Sequence, residues 1–164
     1  MRTLIQNGLV FDGSGADGIQ GDVLVEGGRV KEVQAGLQGN FDETIDASGC
    51  WVMPGFVDNH THYDAELEVA PALKESVRHG VTSVLIGSCG LSMALGEVSD
   101  LADMFCRVEG IPRSSVLPLL ESVKSWSTPA QYLEHLDGLP LWPHVMTMLG
   151  HSTVRAAVMG LGRS

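Results

Sequence analysis

No stretch of this sequence approaches the roughly 20 consecutive apolar residues that a membrane-spanning helix needs. Its opening, Met1-Arg2-Thr3-Leu4-Ile5-Gln6-Asn7-Gly8, has no apolar core of signal-peptide length. A cytoplasmic location is therefore the working expectation. Basic residues are scarce: 10 Lys and Arg stand against 20 Asp and Glu, a formal charge of −10. Such a chain repels a phosphate backbone and an anionic bilayer surface, so neither nucleic acid nor membrane is expected as a partner. Cysteine is sparse and odd in number, and Cys50, Cys89 and Cys106 do not form the disulfide framework of a small secreted domain. There is no internal repeat and no low-complexity tract. A phosphate-cradling loop is missing too, because Gly13-Ser14-Gly15 follows a turn and precedes no convincing helix.

What remains is ordinary globular material, 44% hydrophobic and 18% charged over 164 residues. That length suits one medium domain, or a small domain with part of a larger one. The first fifty residues alternate short β-type runs with turn dipeptides: Thr3–Gln6, Asn7-Gly8, Leu9–Phe11, Asp12-Gly13, and then Asp22–Glu26, Gly27-Gly28, Arg29–Val33. Period-two apolar residues between such turns predict hairpins, hence a small β-sandwich or half of one over residues 1–53. After Pro54-Gly55 the texture changes. Phe56–His60 reads as a buried strand, Ala70–His79 as a helix closed by Gly80, and Val81–Gly87 as a second buried strand. Helical stretches follow at Val98–Val108 and Ser114–Lys124, and Thr128-Pro129 starts another through His135. A strand over His144–Leu149 and a short helix end the chain. Strands alternating with helices predict βα units on a parallel sheet over residues 54–164.

The strongest chemical signal is the apolar strand that ends in His60-Thr61-His62. Residues i and i+2 of a strand share one face about 6.6 Å apart, so two imidazoles there can tilt toward a single ion. The plain alternative is a pair of polar histidines on an exposed strand end. Cys89, in Gly87-Ser88-Cys89-Gly90, follows the second strand and opens on the same side. A thiolate is a soft, strong zinc ligand, and the flanking glycines let the backbone turn sharply. Cys50 and Cys106 are expected to be buried structural cysteines. His151, after the third strand, is open between a ligand or substrate contact and a bystander in a loop where Ser152 or Thr153 caps the last helix. Asp58 either orients an imidazole or bonds nearby backbone. His79, His135 and His144 have no partner in view and are expected at the surface or in packing roles.

These residues carry a resemblance that spans essentially the whole chain. Pro54-Gly55-Phe56-Val57-Asp58 with His60-Thr61-His62-Tyr63-Asp64-Ala65, and His79-Gly80-Val81-Thr82-Ser83-Val84 leading to Gly87-Ser88-Cys89-Gly90, resemble the first two strand motifs of metal-dependent amidohydrolases of the D-aminoacylase (N-acyl-D-amino-acid deacylase) group. The His-x-His pair is shared with dihydroorotases, imidazolonepropionases and many deaminases; the cysteine is the narrower marker. The resemblance implies a β-sandwich flanking a (β/α)8 barrel of the TIM type, of which this chain holds the partial sandwich and the first strands and helices. It implies His60, His62 and Cys89 as ligands of one or two zinc ions, the cysteine standing where relatives carry a carboxylated lysine. The reaction implied is metal-assisted hydrolysis of an N-acyl-D-amino acid, with D-glutamate, D-aspartate and neutral substrates all compatible.

The departure from the family lies in what the chain does not contain. Members continue with two more ligand histidines and a catalytic aspartate, and nothing after Arg155 supplies them. The expectation is an N-terminal portion, inactive and unstable or self-associating on its own, since a complete barrel takes about 250 residues. Three other readings stand beside it. One is a different amidohydrolase activity, dihydroorotase-like or deaminase-like. Another is a metal-free hydrolase in which His151 activates Cys89 as nucleophile. The third is a non-catalytic metal-binding module.

Overall fold

A computed structural model describes residues 1–163, which form two compact units divided between Pro54 and Gly55. The chain is α/β, with a β-rich N-terminal sheet followed by a parallel sheet carrying helices.

The first unit contains β1 (Arg2–Val10), β2 (Ile19–Glu26), β3 (Arg29–Gln34), β4 (Glu43–Asp46) and β5 (Trp51–Val52). The strands lie in the order β3-β2-β1-β4, and β5 pairs with the far end of β1. The β1–β2 and β2–β3 pairs are antiparallel, whereas β4 and β5 run parallel to β1. Gly27 and Gly28 take φ of 58° and 74°, the double left-handed turn that matches the twist of a two-residue hairpin. Asn7-Gly8 does something different from the turn expected of it. Asn7 takes φ of 64° inside a continuous β1, and the β1–β2 register shifts between Ile5 and Gly8. The dipeptide is a bulge, held because buried Asp22 accepts the backbone N–H of Asn7 at 2.9 Å and that of Leu37 at 2.9 Å. Those bonds hold the Asp22 carboxyl below its usual range. One face of the sheet packs Leu4 and Leu24 under Leu37 and Phe41. On the other, Ile5, Val23, Val25 and Val33 border an apolar hollow of about 400 Å³.

In the second unit, β6 (Phe56–Asp58), β7 (Val81–Ile86) and β8 (His144–Thr147) form a parallel sheet in that order. Parallel neighbours need crossovers. Helices α1 (Asp64–Val69) and α2 (Lys74–Arg78) supply the first; α3 (Val98–Glu109), α4 (Arg113–Val123) and α5 (Pro129–Asp137) the second. After β8 comes α6 (His151–Met159). Val84 and Ile86 of β7 are fully buried and meet Leu67, Met93, Leu101, Phe105 and Leu120 in one core. Thr128 caps α5 with the reciprocal Gln131 bonds and first-turn proline that its sequence announces.

Three expectations change. The span expected as one helix, Ala70–His79, holds only the short α2, because α1 has ended at Val69 ahead of Pro71 and buried Leu73 turns left-handed (φ 41°) just before α2. The strand expected through His60 ends at Asp58, and Phe56 and Val57 are 55% and 60% exposed. As an edge strand with a neighbour on one side only, β6 lacks the cover that buries β7. Cys50 is exposed and Cys106 half-buried, so neither is the sealed structural cysteine expected. No helix among the described residues is long and apolar enough to cross a membrane.

Candidate metal centre

The chain leaves β6 through His60, Thr61 and His62, and Thr61 sets the direction of both rings. Its backbone N–H and its hydroxyl both donate to the carbonyl of Leu85 on β7, at 3.0 and 2.9 Å. Thr61 is thereby buried and the flanking histidines project away from it, the alternation that an extended segment imposes. Their rings stack with centroids 5.4 Å apart at 29°. Asp58 Oδ1 accepts the backbone N–H of His60 at 3.3 Å, so it shapes the turn rather than an imidazole.

Cys89 arrives from the end of β7 on a 3₁₀ turn, Ser88–Gly90, and itself takes φ of 55°. Such a conformation is costly for a residue with a Cβ and persists only where surroundings enforce it. Here they do. A Cβ on Gly87 would collide with the carbonyl of Met148, and one on Gly150 with that of Gly90, so glycine at both positions lets the loops after β7 and β8 touch backbone to backbone. Ser92 and Thr153 then lock them: Ser92 N–H donates to Thr153 Oγ1 at 3.0 Å, that hydroxyl donates to Ser92 carbonyl at 2.9 Å, and Gly150 N–H donates to Ser92 Oγ at 3.1 Å.

The outcome is a three-donor cluster. One donor atom from each of His60, His62 and Cys89 lies within 4.8 Å of the others, and His60 Nε2 is 2.8 Å from Cys89 Sγ. Two imidazoles and a thiol are a donor set suited to zinc. Ligands around a tetrahedral zinc stand roughly 3.5 Å apart, so side-chain adjustments of about an ångström would seat an ion.

Glu109, the last residue of α3, is a member of the site that sequence reasoning missed. Its Oε1, shielded from solvent and with no aligned hydrogen-bond donor, stands 2.8 Å from Nδ1 of His62. The charge of a carboxylate at that distance favours a proton on Nδ1, which leaves Nε2 as the nitrogen free to take an ion. Only the crossover through α3 brings the two together, and nothing in the residues around Glu109 announces it. Asp64, two residues past His62, is 2% exposed. Burial pushes its carboxyl up to about 6, opposed by the N–H of Met93, which it accepts at 3.1 Å, and by the neighbouring His62. It fastens α1 to the loop after Cys89.

His151 stands apart from the cluster. It is the exposed first residue of α6, after Gly150 at the cap position. Neither Ser152 nor Thr153 caps that helix, because Thr153 is spent on Ser92. His135 has a partner that sequence did not reveal: both oxygens of Glu68 lie 3.0 and 2.9 Å from its Nε2.

Comparison with known proteins places this geometry in company. A model of the amidohydrolase family matches residues 43–162. An uncharacterized protein of Mycobacterium tuberculosis is 49% identical over 163 residues, 98% of this chain and 27% of that one. Among solved structures, a D-aminoacylase studied for the role of its binuclear metal centre superposes with a TM-score of 0.78 at 33% identity, over 96% of this chain and 31% of its own. An N-acyl-D-glutamate deacylase of Bordetella bronchiseptica, complexed with zinc and a phosphonate mimic of the tetrahedral intermediate, gives 0.75 at 26%, over the same shares. The chain thus spans about a third or less of the relatives it matches.

Proposed function

Since this chain belongs to the amidohydrolase family, we propose that His60, His62 and Cys89 hold zinc in an enzyme that hydrolyses the amide bond of N-acyl-D-amino acids. The observation that carries the proposal is the convergence of those three donors within 4.8 Å at the ends of two parallel strands. Support for the substrate class comes from the D-aminoacylase and the D-glutamate deacylase to which the chain is similar. In this reading β6, β7 and β8 are the first strands of a (β/α)8 barrel, whose active sites lie at the C-terminal strand ends.

Bound there, zinc supplies Lewis acidity, which polarises an acyl carbonyl and brings the pKa of water toward neutrality. The chain's own residues do the rest. Thr61 aims the two histidines, Glu109 favours the Nδ1-protonated tautomer of His62, and the locked glycine loops hold Cys89 in its left-handed turn. A thiolate ligand keeps the site one negative charge richer than three imidazoles would.

The test is metal analysis with activity on the protein at its natural length. Expected are bound zinc, hydrolysis of N-acetyl-D-amino acids, loss with chelator and recovery on adding zinc. The close His60–Cys89 pair favours one rival, a metal-free thiol nucleophile with imidazole base. Activity that survives chelation and dies on alkylation would establish that rival and sink the zinc reading. Zinc bound without hydrolysis of any acylated amino acid would point instead to a non-catalytic module.

A further inference from the structure

The segment that carries the two histidines and the loop that carries Cys89 are joined by more than the pairing of β6 with β7, and one of the joints is a buried carboxylate. Asp64 opens α1 two residues after His62 and is 2% exposed. It accepts the N–H of Met93 at 3.1 Å, and the N–H of Gly87 also lies toward it. Those two donors stand on either side of Cys89, two residues before it and four after it. The carbonyl of Met93, itself fully buried, accepts the indole N–H of Trp126 at 2.7 Å, so the far end of the Cys89 loop is held from two directions. Packing alone does not call for a carboxylate here, because burying one is costly unless hydrogen bonds compensate it. One turn further along α1, Glu68 has a side chain 1% exposed and bonds His135 instead. The same helix face thus carries two buried carboxylates, one tied to another helix and one to the metal-site loop.

We infer that Asp64 is a positioning residue of the metal centre, whose carboxylate ties the segment bearing His60 and His62 to the loop bearing Cys89 and so sets the separation of imidazole and thiol. The inference rests on the ligand set proposed above and deepens it by assigning the group that keeps its two segments together. Thr61 fixes the chain just before His62 through its two bonds to Leu85, and Asp64 fixes it just after. The His62 imidazole is therefore carried between two anchors, one on β7 and one on the loop that leaves it. A carboxylate suits the second anchor because it accepts several N–H groups at once, each bond about twice as strong as a neutral one. Its partners are backbone groups, with no side chain to swing, so holding them holds the left-handed turn at Cys89 and keeps Sγ on the side of His60. Asp64 is not itself one of the three clustered donors and acts through that loop.

The experiment uses the natural-length protein loaded with cobalt(II) in place of zinc, because a thiolate bound to cobalt gives a charge-transfer band in the near ultraviolet that reports the bond from Cys89 to the metal. Zinc affinity is measured alongside by competition with a chelator, and stability by denaturant unfolding. Asp64→Ala should lower zinc affinity about 10–100-fold and weaken the thiolate band. Asp64→Asn keeps one acceptor oxygen but turns an amide N–H toward the second donor, and should fall between wild type and Asp64→Ala on both readings. Glu68→Ala, at the other buried carboxylate of α1, should lose stability and keep the wild-type band and affinity. If Asp64→Ala does not fold, Asp64→Asn decides. An Asp64→Asn protein with the wild-type band and affinity overturns the inference. So does a Glu68→Ala protein that weakens the band equally, since any loosening of α1 would then suffice. A wild-type cobalt protein without the thiolate band removes Cys89 from the ligand set and takes this inference with it, whereas failure in the variants alone leaves that set standing.

Discussion

The second unit contains the same chemical pair twice, a histidine beside a glutamate, in two regions with different fates. At the strand ends, His62 meets Glu109 with side chains 28% and 22% exposed, next to a second imidazole and a thiol. Between α1 and α5, His135 meets Glu68, whose side chain is 1% exposed, and the ring lies 4.6 Å from Trp126. Both nitrogens of a metal-ligating ring must be provided for, one by a carboxylate and one by the ion. His62 has that second direction open toward His60 and Cys89. His135 is closed in by an indole, so its pair can do nothing but hold helices together. The comparison teaches that a histidine–carboxylate contact marks a site only when further donors share its free side.

The largest break in this contrast is expected from Cys89→Ala, which removes the donor that distinguishes the two regions. Zinc content measured on the purified protein should fall to background while the circular dichroism spectrum is kept; retention of stoichiometric zinc would falsify the ligand assignment. Next comes Glu68→Ala. It leaves the half-buried imidazole of His135 without its partner and should cost about 1–3 kcal/mol in denaturant unfolding, with zinc affinity unaltered. A cost below 1 kcal/mol would mean that the pair is not buried as the structure has it. Glu109→Gln tests the same chemistry at the other region. Its expected effect is a 10–100-fold loss of zinc affinity in competition with a chelator, with little change in unfolding. Should it instead destabilise the fold and spare the metal, the two regions would have to be assigned the other way round. The smallest effect is expected at Tyr132, which is fully buried beside Trp126 with no hydrogen-bond partner on its hydroxyl. Burial pushes that phenol's pKa up, helped by the carboxylates of Asp64 and Glu68. Tyr132→Phe removes an unsatisfied polar atom and should leave stability equal or raise it by about 1 kcal/mol; a clear loss would reveal a partner for the hydroxyl.

Much of the architecture was legible in advance, for reasons that vary along the chain. Period-two runs and Gly27-Gly28 announced β2, β3 and their hairpin, and Thr128-Pro129 with Gln131 announced α5. Those signals are local, made by residues that touch each other. Asn7-Gly8 carries the same letters as a turn and became a bulge, because the residue that decides is Asp22 on the neighbouring strand. Exposure of Phe56 and Val57 was likewise unreadable, since an apolar strand looks alike whether it has one neighbour or two. At the site, His60, His62 and Cys89 could be named from residue type and strand-end position, and the structure gathers them. Glu109 could not, because a charged residue on a helix looks the same whichever way that helix is turned.

From the sequence alone came the alternation of elements, the family resemblance and three candidate donor residues, all of them properties of short windows in which backbone preference and side-chain chemistry act together. Tertiary structure alone decided which donors share a point in space and which carboxylate stands beside His62. Those depend on the packing of α3 and α6 around β7 and β8, where glycines at 87 and 150 let two loops meet and a buried serine–threonine pair locks them. Hydrophobic burial is non-directional and can be read as composition, whereas a hydrogen bond or a metal ligand needs two groups in one place, and only the folded chain puts them there.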